Sequence, residues 1–158
     1  MAGKAHLSPR LFRFLRDLDG NNDKAWFEEN RERYQKDVRD PLLRFIADFA
    51  PRLRQVSPHF VADPRPVGGS LFRIHRDVRF SKDKSPYKTW IGIQFRHESA
   101  RDAHAPGFYL HLQPGECWAG VGLWRPAPPS LARIRNAIVD DAARWKRARD
   151  NKKFRAHF

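Results

Sequence analysis

Residues 107–124 read GFYLHLQPGECWAGVGLW, and the alternation of large apolar and polar side chains in this stretch determines the fold class. A period of two residues is typical of half-buried β-strands, because successive side chains point to opposite faces of a sheet. The pattern predicts strands over 107–113 and 116–124, and a similar alternation recurs over 71–80 and 89–97. We therefore expect a mainly antiparallel sheet of about four or more strands.

Helical patterns lie on both sides of the predicted strands. Three apolar stripes with helical spacing precede the first strand, and Ser8-Pro9 and Asp40-Pro41 mark a helix start and a kink or restart. A last amphipathic helix is predicted from Ser130 onward. Because helices and strands come in separate runs, we predict an α+β fold. Its N-terminal helices pack on one face of the sheet, and a further helix follows at the C-terminal end.

The composition is that of a globular protein. The 158 residues are 41% hydrophobic and 13% aromatic, so we expect a single domain over 1–158 with its own core. The start of the chain is too charged for a signal peptide, and no apolar stretch reaches membrane-spanning length, so we expect a cytoplasmic protein with no membrane contact. The last residues, NKKFRAHF, look like the start of another element, and a complete domain is expected to continue beyond them.

Residues 73–88, RIHRDVRFSKDKSPYK, concentrate positive charge and are called the signature segment below. Six of these residues are Arg or Lys, and only two aspartates oppose them. The whole chain has a net charge of +13, which suits a polyanionic partner and equally an arginine-rich proteome. Either these charges pair inside the protein, or an anion from outside binds them.

On the predicted strand 71–80, Arg73, His75, Asp77 and Arg79 share one face. Histidine side chains can donate or accept a proton near neutral pH, so we interpret His75 as a candidate catalytic proton carrier that Asp77 orients. The alternative is an internal ladder of salt bridges. The candidate ligand-binding residues offer charges or a hydroxyl to a phosphate or carboxylate, and they are Arg73, Arg79, Lys84, Tyr87 and Lys88.

Two residues of the segment are interpreted as structural anchors. Arg76 falls on the apolar side of the predicted strand, where an unpaired guanidinium is costly, so we expect a carboxylate partner. The candidate partners on the helices are Glu28, Glu29 and Asp48. Asp83 is the second anchor, because an aspartate at this place closes an Asx-type turn in SKDKSPYK.

The second face of the predicted sheet mixes cations with flat rings. The stacking candidates on this face are Trp90, Tyr109, Trp118 and Trp124, with His111 and Arg96 beside them. Gly120 and Gly122 leave room above the strands. Plain solvent exposure favours Lys, Glu and Thr, so this mixture suits a flat or anionic ligand. The alternative is that another element covers the face and the tryptophans belong to a core.

Sequence motifs for phosphate loops and metals are not found. GxxxxGK[ST] does not occur, and Gly68-Gly69-Ser70 precedes a predicted strand instead of a helix. HxxxH and CxxC spacings are also missing, so we expect neither a metal nor a cofactor. The single cysteine, Cys117, is interpreted as a small buried hydrophobic residue.

Two stretches resemble a known family. One is the pattern Arg73-x-x-Arg76-Asp77-x-Arg79-Phe80-x-x-Asp83-Lys84-x-x-Tyr87-Lys88, and the other is Phe14-Leu15-x-x-Leu18 followed by Asn21-Asn22-Asp23-Lys24-x-Trp26-Phe27. Together they are similar to the domain of unknown function 2461, a family of conserved hypothetical proteins found mainly in bacteria. The resemblance covers nearly the whole chain. It implies no activity, substrate or cofactor, and it implies that members typically extend further at the C-terminus.

Three functional hypotheses follow from these residues. The first is an anionic small-molecule site at the signature segment, with or without a reaction. The second is a nucleic-acid-binding module, in which bases stack on the rings while arginines contact phosphates. The third is a structural motif whose function is supplied by a partner. The residues do not indicate an oligomeric state or a particular reaction.

Overall fold

The computed structural model describes residues 6–99 and 105–157. The chain divides into two compact units, Met1–Gly122 and Leu123–Phe158, and each is described by itself. The single domain expected over 1–158 stays a prediction. The described helices and strands confirm the α+β class.

The first unit begins with helices. They are α1 Pro9–Gly20, α2 Lys24–Glu29, α3 Arg31–Tyr34 and α4 Asp40–Val56. Pro9 occupies the first turn of α1, where a missing N–H costs nothing. The Asp23 carboxylate caps α2 by accepting from the Trp26 N–H over 2.9 Å. The neighbouring Asn22 side chain instead contacts the backbone of Tyr87.

A π turn, Gln35–Arg39, joins α3 to α4, so the helical path runs without a break from Arg31 to Val56. The N–H of Asp40 donates to the carbonyl oxygen of Gln35, five residues back. Pro41 follows and has no N–H, so it leaves one carbonyl of this turn without its regular partner. The sequence predicted a kink or restart here, and the structure instead widens the turn that precedes the proline.

Four strands follow in one antiparallel sheet with the order β1-β2-β3-β4. They are β1 Phe60–Val61, β2 Ile91–His97, β3 Gly107–Gln113 and β4 Glu116–Gly122. Ile93 pairs with Leu110, which pairs in turn with Ala119. Strands β2, β3 and β4 agree with the predicted alternation, although β4 ends two residues earlier than predicted. The two-residue strand β1 lies in a stretch that has no strand pattern in the sequence.

The core lies between the helices and one face of the sheet. Leu11, Phe14 and Leu15 of α1 are fully buried, as are Leu42 and Ile46 of α4. The sheet contributes Ile91, Ile93, Phe95 and Leu112 to the same cluster. Burial of one such side chain stabilises the fold by roughly 1.5–3 kcal/mol. The opposite face of β2 and β3 is therefore left for other contacts.

The predicted strand over 71–80 is wrong. This stretch makes only two isolated bridges, Leu71 with Ile93 and His75 with Tyr87. Val78 is half-buried and Phe80, expected on the apolar face, is 96% exposed. The prediction for Cys117 is also wrong, because its side chain is exposed on β4. Phe80 and Cys117 both follow the two-residue alternation that predicts a buried side chain. Both are exposed nevertheless, because no described helix of the core covers them.

The second unit is helical. Its elements are α5 Pro128–Asp140, α6 Ala142–Arg149 and α7 Lys152–Arg155. Asp141 caps α6 and Asn151 caps α7 through their side chains. The helix predicted from Ser130 is present, but it starts at Pro128 and Ser130 lies inside its first turn. No helix in the described part of the chain is long and apolar enough to cross a membrane.

Candidate functional site

The signature segment is an irregular hairpin that runs beside α2 and the edge of β2. The N–H of Arg76 donates to the carbonyl oxygen of Pro86, and the N–H of Lys88 donates to that of Ile74, both over 2.8 Å. This pairing separates the predicted site residues into three groups: the tip of the hairpin, the side that contacts α2, and the side that contacts the open face of the sheet.

The tip is held by internal ion pairs. Arg79 makes a bidentate contact with Asp77, with Nε–Oδ1 at 2.9 Å and Nη2–Oδ2 at 2.7 Å. These hydrogen bonds, together with one from the Arg79 N–H, lower the pKa of Asp77 to about 2. Arg76 pairs with Asp83 and with none of the three helix carboxylates that the sequence suggested. Asp83 also accepts from the N–H and hydroxyl of Ser85, as an Asx-type turn requires.

Two aspartates therefore neutralise two of the six cations in the segment. Four cations have no carboxylate partner among the described residues, and they are Arg73, Lys82, Lys84 and Lys88. The Lys84 ammonium donates instead to the carbonyl oxygen of Val78 over 3.0 Å. Arg73 is exposed and its side chain makes no hydrogen bond or ion pair with another described residue. The segment thus keeps a net positive charge after its internal pairing.

His75 and Tyr87 lie against helix α2. The Tyr87 ring stacks on Phe27 with 4.1 Å between centroids, and His75 lies 5.2 Å from Tyr87 and 6.1 Å from Phe27. Tyr87 is only 3% exposed, and burial raises the pKa of its hydroxyl. The described structure contains no hydrogen bond between His75 and Asp77, because the Asp77 carboxylate is engaged by Arg79. The proposed pair of proton carrier and orienting carboxylate is therefore not assembled here.

Lys88 connects the signature segment to the open face of the sheet. Its ammonium donates to the carbonyl oxygen of Arg73 over 2.7 Å and lies 5.4 Å from the Trp90 ring and 6.0 Å from the Phe72 ring. Half-burial lowers the pKa of Lys88, and the nearby charges of Arg73 and Arg76 lower it further. The site is therefore one in which cations are crowded beside aromatic faces.

Five aromatic residues, called the ring cluster below, form one group on this face: Phe72, Trp90, Tyr109, His111 and Trp118. The His111 imidazole lies between two indoles, 5.1 Å from Trp90 and 5.3 Å from Trp118. The planes of His111 and Trp118 differ by only 11°. The stack thus runs from Trp90, directly before β2, across β3 to β4, because register places His111 directly opposite Trp118 and Gly92.

Hydrogen bonds fix the orientation of the central imidazole. The Tyr109 hydroxyl lies 3.1 Å from His111 Nδ1, and His111 Nε2 lies 3.1 Å from Gln113 Oε1. A neutral imidazole satisfies both contacts when Nε2 carries the proton and Nδ1 accepts from the tyrosine. Burial raises the pKa of Tyr109, so its hydroxyl stays protonated and remains a donor.

Gly92 makes the close packing of these rings possible. A Cβ at this position would lie 2.9 Å from the Tyr109 hydroxyl oxygen, 2.9 Å from Cδ2 of Phe72 and 3.0 Å from Cζ3 of Trp90. These distances are shorter than ordinary carbon contacts. The missing side chain therefore allows three rings to converge above the centre of the sheet.

Sequence reasoning named Trp90, Tyr109 and Trp118 and the structure brings them together, but it gave no role to His111, Gly92 or Phe72. His111 and Gly92 could have been identified from the sequence, because the alternation along the predicted strands puts them on the same face as the tryptophans. Phe72 was expected on the apolar face. Trp124 belongs to the second unit, where the Arg125 guanidinium lies 5.4 Å from its ring.

Surface depressions also occur on the helices. One of about 720 Å³ is lined by residues of α1, the π turn and α4, among them Arg10, Lys36 and Arg44. It includes no residue of the signature segment and no member of the ring cluster. Its basic groups are accompanied by Asp37 and Asp48, so the depression has no strong excess of positive charge.

Comparison with known proteins gives one match. The family model described as Conserved hypothetical protein (DUF2461) matches residues 10–158, which is nearly the whole chain. No curated protein and no solved structure matches.

Proposed function

The chain belongs to the DUF2461 family of conserved hypothetical proteins, and from this premise we propose that it binds a small anionic ligand beside the ring cluster. Lys88 and Arg73 hold the phosphate or carboxylate of the ligand. A planar part of the same ligand lies against Trp118. The proposal moves the expected binding site from the tip of the signature segment to the side that faces the sheet.

The observation that carries this proposal is the environment of Lys88. Its ammonium is half-buried, lies beside two other cations and two rings, and has no carboxylate partner among the described residues. An incoming anion interacts more favourably with a cation in such a position than with a fully solvated lysine, because water screens the charge less there. An anion interacts less favourably with Arg79 and Arg76, because these two guanidinium groups are already paired with Asp77 and Asp83.

The stacking surface is limited by the cluster itself. The inner faces of Trp90, His111 and Trp118 are occupied by one another, so they do not accept a further ring. Trp118 is the end member of the stack and is 46% exposed. A base or other flat group extends the stack there, which contributes about 1–3 kcal/mol per ring in known nucleic-acid complexes.

Tryptophan fluorescence titration with uridine monophosphate, uridine and citrate tests the proposal. We expect uridine monophosphate to bind roughly tenfold or more tightly than uridine, which corresponds to about 1.4 kcal/mol from the phosphate contact. Lys88→Met should remove this preference, and Trp118→Ala should weaken both nucleoside probes. Lys36→Met is the matched control, because it removes one exposed positive charge from the π turn on the helical side.

Two results contradict the proposal. One is equal affinity for uridine monophosphate and uridine, or no response to any of the three probes. The other is an equal loss of affinity in Lys88→Met and Lys36→Met, which would mean that only the net charge of +13 attracts the anion.

A second candidate is binding of single-stranded nucleic acid. It is favoured by the four uncompensated cations of the signature segment and by the position of the rings beside them. Affinity for an oligothymidylate would then fall steeply as salt rises, because phosphate contacts release counterions. A flat response between low and moderate salt excludes this candidate and leaves the small-ligand proposal intact.

A third reading assigns the signature segment to structure, with the function supplied by a partner. It is favoured by the ion pairs Arg76–Asp83 and Arg79–Asp77, which hold the tip without any ligand. Arg79→Gln separates this reading from the first. A lower melting temperature with unchanged affinity for uridine monophosphate supports a structural role for Arg79, whereas a loss of affinity at unchanged melting temperature assigns Arg79 to the site.

A further inference from the structure

Strand β4 is an edge strand of the described sheet, and its sequence lacks the residues that usually protect such an edge. It has β3 on one side and no strand on the other among the described residues. Its sequence, ECWAGVG, contains no lysine, arginine or proline, and its one charged residue, Glu116, lies at the first position. Edge strands of monomeric proteins usually carry such residues or bulges, which prevent pairing with another chain.

The opposite edge of the sheet, at β1 and β2, is largely covered by other parts of the chain. Strand β1 has only two residues, and the chain covers more of the β2 edge by itself. The Phe72 N–H donates to the carbonyl oxygen of Gly92 over 2.9 Å, and the Gln94 N–H donates to that of Ser70 over 2.9 Å. The described residues therefore cover the β1 side of the sheet, whereas no described strand pairs with the outer edge of β4.

The side chains of β4 are unusually exposed for their chemistry. Val121 is 61% exposed and Trp118 is 46% exposed, while Cys117 is an exposed free thiol. Val121, Ala119 and Cys117 share one face of the strand, and Trp118 and Gly120 share the other. An exposed apolar strand with unpaired backbone groups is a site of strand addition.

We propose that two copies of this chain pair along β4, antiparallel and about a two-fold axis that passes through Ala119. In this register all seven residues of the strand find a partner. On one face Ala119 lies opposite its own copy and Cys117 opposite Val121. On the other face Trp118 lies opposite Gly120.

The large and small residues of β4 are complementary in this register. The Trp118 ring already leans over Gly120 of its own strand, since its Cζ3 atom lies 3.5 Å from the place of a Cβ. In the pair each glycine also faces the indole of the other copy. Diagonal neighbours of adjacent strands are about 7–8 Å apart, within reach of large rings, so the two indoles meet above the two glycines. A bulky residue in place of Gly120 would fill the space above the strand in which the two indoles meet.

A second copy is favoured over an unrelated peptide because this register places Gly120 of one copy opposite Trp118 of the other, and Ala119 opposite itself. The pairing also predicts a specific salt response. Each chain carries a net charge of +13, so two copies repel each other, and screening by salt strengthens the dimer. This response is opposite in sign to that of nucleic-acid binding, which salt weakens.

Disulfide trapping of the full chain tests the register. The double variant Cys117→Ser/Ala119→Cys places two thiols directly opposite each other across the axis. Paired residues of antiparallel strands have Cα atoms about 4.5–5.5 Å apart, which suits a disulfide. The native Cys117 is the internal control, because in the same register its two copies lie about 13 Å apart, four residues along the strand.

We expect the double variant to form covalent dimers under mild oxidation and the wild-type chain to form few. Sedimentation of the wild type should give twice the monomer mass, with a larger dimer fraction at moderate than at low salt. Val121→Lys should shift the chain toward the monomer, because each copy then gains a charge beside the axis. Circular dichroism verifies that this variant is folded.

The proposal is wrong if the wild type sediments as a monomer at every concentration and salt level. It is also wrong if Cys117 alone forms the covalent dimer as readily as Ala119→Cys, because two copies then meet in a different register. Neither result uses a ligand, so the dimer can fail without the anion site. Because the dimer covers the outer face of Trp118, stacking of a ligand on that ring requires the monomer.

Discussion

The side-chain amide of Asn22 binds both backbone polar groups of Tyr87. Its Nδ2 donates to the Tyr87 carbonyl oxygen over 3.0 Å, and its Oδ1 accepts from the Tyr87 N–H over 3.1 Å. The two residues are 65 positions apart, one in the turn between α1 and α2 and the other in the signature segment. The amide thereby acts as one more strand residue opposite Tyr87, and it joins the two stretches by which the sequence resembled its family.

Replacing Asn22 by Ala should destabilise the first unit. The change leaves two partly buried backbone groups of Tyr87 without partners, which costs about 1–3 kcal/mol for each group that stays dry. Urea denaturation measures the change in the free energy of unfolding. Asn21→Ala is the control, because among the described residues that neighbouring amide makes a single, exposed hydrogen bond, to the Asp17 carbonyl oxygen. Equal effects of the two substitutions would show that the Asn22–Tyr87 contact contributes no special stability.

Gly92→Ala should disturb the ring cluster. The new methyl group meets Phe72, Tyr109 and Trp90 at 3.0 Å or less, so at least one ring must move. Overpacking of this kind costs about 1–3 kcal/mol. Near-ultraviolet circular dichroism and the melting temperature report the change. Gly20→Ala at the end of α1 is the control, since nothing lies within 4 Å of the place of its Cβ. An unchanged aromatic spectrum in Gly92→Ala would contradict the description of the cluster.

The ion pair at the tip should persist into acid. The hydrogen bonds from Arg79 lower the pKa of Asp77 to about 2, below its unfolded value of about 3.9. A lowered acid pKa stabilises the fold above the unfolded value, and this contribution is lost as the pH falls from about 4 toward 2. Carbon-detected NMR titration of the Asp77 carboxyl group measures the shift. In Arg79→Gln the pKa should return toward its ordinary value, and an unchanged pKa would remove Arg79 as the cause.

His111 should be found as the tautomer protonated on Nε2. Gln113 Oε1 needs a donor and the Tyr109 hydroxyl needs an acceptor, and only this neutral form satisfies both. Long-range proton–nitrogen NMR spectra distinguish the two ring nitrogens. Tyr109→Phe should leave the ring stacked between the indoles but remove the bond to Nδ1. A predominant Nδ1–H form in the wild type would show that the network runs in the opposite direction.

The parts of the fold that the sequence predicted are those in which side-chain period and backbone pairing agree. In β2 and β3 the alternation of Ile91, Ile93 and Phe95 with Trp90 and Gly92 coincides with the ladder. The same alternation places Trp90 and Trp118 on the open face of the sheet.

The signature segment has a similar alternation and is not a strand, because its short polar side chains bind the backbone locally. Asp77 accepts from the Arg79 N–H, and Asp83 accepts from the Ser85 N–H. Such bonds offer the backbone an alternative to a ladder. A period of two residues carries no information about that competition. For the same reason the separation of His75 from Asp77 could not be predicted from their spacing.

The π turn before Pro41 sets the rotational phase of the long helical path. Successive residues of an α-helix are rotated by about 100°, and the wider turn takes up one additional residue without that extra rotation. Leu42 and Ile46 of α4 therefore face the core although the path contains one residue more than regular turns would accommodate. Winding the same residues into regular turns would rotate both side chains by about 100° away from the core, so the wide turn decides which face of α4 is buried.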